Sequence, residues 1–381
     1  MLLRPLAKAI GLVDIPSGRK NHAGNIPLIG GLAIFFGVLI SIFVHEKFIP
    51  SEALTTSPLP SFFLAGFILL VVGALDDYRP MPASVRLLAQ VIASLVMIYG
   101  GGTVLTDLGY LSFNSTPLAL GMLAVPFTVF ACLGVINAMN MCDGLDGLSG
   151  SMALIALLGF GIANTLWGDM GNQYLIVAFA ACVASFLMFN LRTLWFSNAW
   201  VFLGDAGSMF LGMALSWMAI SLSQGAERAI TPASALWFLM LPVYDAVCMM
   251  VRRILKKHSP FAADREHLHH IFLLAGFSVG ETVTLMSGIA VAGVVVGLGS
   301  IYFQLPDLLV AVLFLSGGGL YYFAVSRAWR VMRFLSRSIC RRKQIERRSP
   351  IARRKGLNVN YTGPERRSNI DRRQESIRRT N

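Results

Sequence analysis

Long apolar runs, each closed by a short polar stretch, repeat along nearly the whole chain. Ten of them come close to 20 residues, the length a helix needs to cross the hydrocarbon of a bilayer. They cover residues 26–45, 59–75, 85–104, 118–137, 148–167, 173–191, 207–223, 231–251, 280–303 and 307–325. The pattern predicts an all-α fold, a polytopic membrane bundle of about ten transmembrane helices. An even number puts both termini on one side. Composition points the same way, with 55% hydrophobic and 14% charged residues in 381. That excludes the two or three soluble domains that length alone would suggest.

Charge then divides the chain. From Arg327 to Asn381 there are 18 basic residues against Glu346, Glu365, Asp371 and Glu375, a net of +14, so the whole-chain +12 leaves −2 for the rest. Residues 1–335 are expected to form the membrane domain. Residues 336–381 are expected to form a basic tail, too poor in apolar residues to fold by themselves and attractive to anionic lipid headgroups. In the membrane domain, one set of inter-span segments holds 12 Lys/Arg (Arg4, Lys8, Arg19, Lys20, Arg79, Arg86, Arg192, Arg252, Arg253, Lys256, Lys257 and Arg265) and the opposite set only Lys47 and Arg228. Basic residues mark the inside of a membrane protein, so the first set is assigned to the cytoplasm. Five cysteines stand singly and read as free buried thiols, and residues 1–25 do not read as a signal peptide.

Polar chemistry gathers on that same face. "ALDDYRP" ends one span with Asp76 and Asp77, and "NAMNMCDGLDGLSG" (137–150) sets Asn137, Asn140, Asp143 and Asp146 among glycines. "VFLGDAGS" opens a span with Asp205, while "DREHLHH" carries Arg265, His267, His269 and His270. Charge beside membrane spans is costly and marks function by default. Carboxylates with amide oxygens suit a hard divalent cation shared with substrate phosphates. Asn137 and Asn140 are one helical turn apart and share a face. Adjacent carboxylates at 76 and 77 suit a general base or joint metal ligation. Histidines mixed with Arg265, with Arg86 adding charge, suit phosphate oxygens, and no cysteine or second histidine pair completes a zinc site. The combination implies phosphoryl chemistry joining a soluble phosphate ester to a lipid. "DGLDG" alone is also found in CDP-alcohol phosphatidyltransferases, but Leu148-Ser149-Gly150 stands where those have an Ala-Arg pair.

In order along residues 5–335, "GRKNHAGNIPLIGG" (18–31), "GALDDYRP" (73–80), "NAMNMCDGLDGLSG", "VFLGDAGS" (201–208) and "DREHLHHIFLLAGF" (264–277) resemble the polyprenyl-phosphate N-acetylhexosamine-1-phosphate transferase family. The HLHH form is similar to the branch making undecaprenyl-diphospho-N-acetylglucosamine. The resemblance implies transfer of a sugar-1-phosphate, most simply GlcNAc-1-phosphate, from a UDP-N-acetylhexosamine to undecaprenyl phosphate. UMP would be released and O-antigen or exopolysaccharide-type synthesis initiated. It implies Mg²⁺ (with Mn²⁺ able to substitute) on Asp205 and Asn140, and Asp76 or Asp77 as the catalytic carboxylate. Asn137, Asp143 and Asp146 would line the substrate pocket, with Arg86, Arg265, His267, His269 and His270 on phosphates. The implied setting is a bacterial cytoplasmic membrane with the site facing inward. Membrane lipids are expected partners, a homodimer is compatible, and no nucleic-acid partner is expected. Family members usually carry one more span before the segment "GLVDIP" (11–16).

The competing class is a transporter or flippase of a phosphorylated lipid or sugar, which would place polar groups mid-membrane on broken helices, often in an internal repeat. Here they sit at one face and the halves do not match. The tail carries no motif chemistry. Truncation after Cys340 is therefore expected to retain most turnover in detergent; a tenfold fall with the protein still folded would place the tail in the site.

Overall fold

The computed structural model describes residues 5, 7, 9, 11–14, 25–48, 58–111, 116–168, 170–192, 198–225, 228–257 and 267–348, with the backbone alone for 170, 171, 329 and 331–348. The chain divides into two units, residues 1–330 and 331–381, and the membrane bundle belongs to the first. Twelve α-helices lie among the described residues: α1 Gly30–Phe48, α2 Leu59–Tyr78, α3 Ala83–Gly101, α4 Ala124–Cys142, α5 Leu148–Trp167, α6 Met170–Asn190, α7 Gly204–Ser223, α8 Pro232–Phe238, α9 Met240–Leu255, α10 Leu268–Leu274, α11 Val279–Tyr302 and α12 Asp307–Arg348. Nine are long and apolar enough to cross a membrane, and α8 with α9 makes a tenth if a bent pair is one span. The all-α polytopic bundle expected from the hydrophobic pattern is what the chain forms.

Four expected spans differ most, the tenth because α12 continues past 325 to Arg348. The first begins at Gly30 rather than 26, because Ile26–Pro27 (β2) pairs antiparallel with Val13–Asp14 (β1). The fourth starts later and continues past 137 to Cys142. Its polar residues Asn137 and Asn140 bond to neighbouring helices, so polarity does not end it. The eighth, 231–251, is not one rod: α8 and α9 meet at 86°. Pro242 explains the break, since it has no N–H for the carbonyl of Phe238 and its ring would collide there. Thr231 caps α8 by accepting from the Ser234 N–H, and Pro232 follows at the first helical position.

Helix α7 is the axis of the fold. Of its most apolar stretch 89% is buried, against 17% for α12, whose outer residues, such as Leu315 and Leu320, are exposed and apolar as a lipid-facing surface requires. Lipid tails supply no hydrophobic force between helices, so close packing of small residues must hold them together. A Cβ on Gly31 of α1 would lie 2.3 Å from the backbone of Gly207, and one on Gly73 of α2 would lie 2.3 Å from Ala206. Further along, Gly212 meets Ile136 of α4 at 2.5 Å by the same measure. The segment before α7 is tied down too: Gly30 and Gly31 donate to the carbonyls of Phe202 and Leu203 at 2.9 and 3.1 Å, and Phe202 donates to Pro27 at 2.9 Å. Beyond these contacts Phe35, Phe179 and Phe210 pack ring to ring, with centroids 5.1–5.3 Å apart.

Gly73→Val should therefore destabilise the protein by about 3 kcal/mol, the upper part of the range for overpacked cores. Gly134→Ala, on an open face of α4 with nothing within 4 Å, should be neutral or gain up to about 1 kcal/mol of helix propensity. Thermal unfolding of both variants in detergent checks this; equal midpoints would refute the packing argument.

Candidate functional site

The site forms where alternate helices end together. Asp76 and Asp77 close α2, Arg86 lies in the first turn of α3, Asn140 lies in the last turn of α4, and Asp205 opens α7. Side-chain contacts among these residues show that the ends lie together on one side.

Each carboxylate has a distinct set of partners. Asp77 accepts from the backbone N–H groups of Asp205 (2.8 Å) and Ala206 (3.2 Å), capping α7 from another helix. Those N–H groups have no intrahelical acceptor, and the positive end of the helix dipole favours an anion there. Gly204, at φ +76°, passes so near the Asp77 carboxylate that a Cβ would collide with it at 2.4 Å. Asp76, which is 7% exposed, accepts from the Met81 N–H at 2.6 Å and from Arg86 at 2.9 Å. The same Arg86 nitrogen lies 3.7 Å from Asp205. Asn140 donates its amide N–H groups to Asp205 at 2.6 Å and to the Ser208 hydroxyl at 2.9 Å. One turn earlier, Asn137 donates to Gln90 at 2.7 Å, and Gln90 donates in turn to the sulfur of Met209.

The loop after α4 adds Asp143 and Asp146. Gly147, at φ +83°, donates to the side chain of Asn190 (2.7 Å), which donates to the Val201 carbonyl (2.8 Å). The loop is thus fastened to the segment that leads into α7. Asp146 is ion-paired with Arg192 at 2.7 Å. Burial, then the carboxylates of Asp205, Asp77 and Asp146 in that order, push Asp143 well above the usual carboxylate range. The residue keeps partial exposure.

The histidines open α10. His267 shares a hydrogen bond of 2.8 Å with Asp245 of α9. His267 and His269 stack, with centroids 5.5 Å apart, and the His269 ring lies against Gly144. Burial, followed by the neighbouring His270, pushes the His269 imidazole down to about 3, so it is neutral at physiological pH. His270 is partly exposed. Arg265 lies outside the described residues.

The donor set fits a hard divalent ion. Asp76, Asp77, Asp143 and Asp205 converge, and Arg86 sets one positive charge against them. Among the described residues no three His, Cys, Asp or Glu side chains form a ready metal cage. Mg²⁺ does not need one, since it takes one or two carboxylates and completes its shell with water and substrate phosphate. Sequence reasoning misses Asp245, Gln90, Ser208 and Asn190. Of these only Asp245 carries a signal, a lone carboxylate inside an apolar run.

Ionising Asp143 costs stability because its folded-state pKa lies above the unfolded value. Its stabilising contribution is present below the unfolded carboxylate pKa and is lost as pH rises through the folded one. Asp143→Asn should therefore unfold at a higher temperature than wild type at pH 7.5 in chelator, with the difference vanishing near pH 3.5. An unchanged midpoint at pH 7.5 would contradict this.

A model of glycosyl transferase family 4 matches residues 59–223, from the start of α2 to the end of α7, which holds the carboxylate cluster. The chain is 34% identical over 337 residues to the undecaprenyl-phosphate alpha-N-acetylglucosaminyl 1-phosphate transferase of Escherichia coli (strain K12), covering 88% of this chain and 89% of that protein. The protein of the same name from Salmonella typhi is 35% identical over 339 residues, with the same shares. The one from Haemophilus influenzae is 33% identical over 349 residues, 91% of this chain and 96% of that protein. With identity at this level over nearly the whole length, the chain belongs to the glycosyl transferase family 4 group of polyprenyl-phosphate N-acetylhexosamine-1-phosphate transferases.

Proposed function

We propose that this protein transfers GlcNAc-1-phosphate from UDP-GlcNAc to undecaprenyl phosphate, releasing UMP and initiating a lipid-linked glycan of the O-antigen or exopolysaccharide type. The observation that carries the reading is the convergence of four carboxylates, Asn140 and Arg86 at one end of a membrane bundle. Such a place suits a diphosphate from water meeting a phosphate anchored in lipid. Relatives named for this transfer, across nearly the whole chain, support the substrates. The lysine and arginine bias and the cytosolic origin of nucleotide sugars support a cytoplasmic-membrane protein with its site facing inward. The transporter alternative gains no support, because this cluster sits at helix ends.

Asp205 and the Asn140 carbonyl oxygen would hold Mg²⁺. When bound, the ion neutralises charge on the donor diphosphate. An oxygen of the lipid phosphate attacks the β-phosphorus of the donor, the new P–O bond forms, and the bond to the α-phosphate oxygen breaks to leave UMP. The Asp76–Asp77 pair supplies the carboxylate that takes the proton of the lipid phosphate or orients it. Asp77 also holds α7, and with it Asp205, in register. Arg86 spans Asp76 and Asp205 and is placed to turn to a phosphate oxygen as substrates enter. Asn137, Asp143 and Asp146 line the nucleotide side. The histidine segment and Arg265 meet the phosphates, His269 as a neutral group.

Purified protein with UDP-GlcNAc, Mg²⁺ and undecaprenyl phosphate should release UMP only when the lipid is present. In a donor panel at equal concentration UDP-GlcNAc should be preferred over its galactosamine, fucosamine and quinovosamine counterparts, and another preferred donor would refute the sugar assignment. Asp205→Ala should cut turnover by about 10³-fold, the upper end of the range for lost transition-state charge stabilisation, while leaving the protein folded. Asn140→Ala should be impaired less. Full activity of Asp205→Ala at saturating Mg²⁺ would remove the metal assignment.

A further inference from the structure

Asp245 lies within α9, 1% exposed, in the apolar context "LPVYDAVCMM". An ionised carboxylate there survives only with its lone pairs occupied. One oxygen accepts from the Leu268 N–H (3.1 Å) and the Tyr321 hydroxyl of α12 (2.9 Å), and the other faces Nδ1 of His267 at 2.8 Å. A carboxylate can only accept, so Nδ1 of His267 carries a proton, and in the neutral ring Nε2 is then the acceptor. The His267 ring stacks on His269, and a Cβ on Gly144 would lie 2.7 Å from His269 Nε2. Gly144 follows Asp143. An unbroken row of contacts therefore runs from Tyr321 through Asp245, His267 and His269 to the acidic loop.

We propose that Asp245 is a positioning residue for the transfer site: it fixes the tautomer and orientation of His267 and, through the stacked imidazoles, the placement of the Asp143–Asp146 loop. His267 then meets substrate with an acceptor nitrogen, which takes a substrate hydroxyl rather than a phosphate oxygen and leaves the phosphates to Arg265 and His270. Without the carboxylate it would present a donor. The kinetic part of this inference rests on the proposed transferase activity; the tautomer part does not.

The test uses the full-length protein in lipid nanodiscs with ¹⁵N-labelled histidine. At neutral pH the His267 signal, assigned by its loss in His267→Gln, should be that of the Nδ1–H tautomer. In Asp245→Asn, an isosteric change that turns an amide N–H₂ toward the ring, it should switch to Nε2–H. In the UMP-release assay, Asp245→Asn should lower kcat by about 30-fold or more, within the range for removing a partner that orients a functional histidine. The KM for UDP-GlcNAc should stay within about threefold. In a His267→Gln background the same substitution should add nothing. A plain structural tie would move the folded fraction and the tautomer but not the kcat-to-KM split. An Nε2–H tautomer in wild type, an unchanged kcat, or equal losses in both backgrounds would each overturn the proposal. If Asp245→Asn does not fold, the wild-type tautomer decides the first part and the kcat of His267→Gln the second, since an unchanged kcat there would leave Asp245 nothing to position. If wild type releases no UMP, the functional reading fails and the tautomer test stands.

Discussion

The start of α7 lies in backbone contact with two other helices, and the site depends on that contact. Gly31 and Gly73 remove the side chains that would hold α1 and α2 away from Ala206 and Gly207. Only at this separation can the Asp77 carboxylate, at the end of α2, reach the first N–H groups of α7. Asp205 is thereby delivered to Asn140 and Arg86. Membrane helices gain little by burying apolar surface against one another, so this precision comes from close approach and from hydrogen bonds between part-buried groups.

The acidic cluster carries a cost that the same contacts contain. Four carboxylates in a partly dry space repel each other. Asp76 is relieved by Arg86 and a backbone N–H, Asp77 by two backbone N–H groups, and Asp205 by an amide and, at longer range, the same arginine. Asp143 is left with its protonation shifted upward. A resting site under electrostatic strain is suited to receiving a cation with its substrate, and strain of this kind clusters at functional sites.

Much of this is legible in the sequence, and the rest is hidden for identifiable reasons. Span number and the one-sided grouping of Asp76, Asp77, Asn140, Asp143 and Asp205 follow from hydropathy and charge, which act locally. The 86° bend escapes an apolar count, although Pro242 is visible, because such a count does not register a missing N–H. Gln90, Ser208 and Asn190 escape as well. A single polar residue within a span has no recognisable spacing, and its role appears only when a partner 119 positions distant, such as Met209 for Gln90, comes alongside. Asp245 is the intermediate case: its charge is conspicuous, but His267, 22 residues later, gives it meaning only after the chain folds back.

The central position of α7 also orders events during synthesis. A nascent chain ending before Gly204 already contains Asp76, Asp77, Arg86, Asn140 and Asp143, yet α1 and α2 have nothing between them to close upon and Asp77 has no helix end to cap. The contacts that hold α1 and α2 to α7 and bring Asp205 into the acidic cluster need Gly204 and the residues after it to have been made. Half-made chains in the membrane thus carry the ingredients of the site without its geometry, and the long-range contacts that create it must wait for more than half the polypeptide.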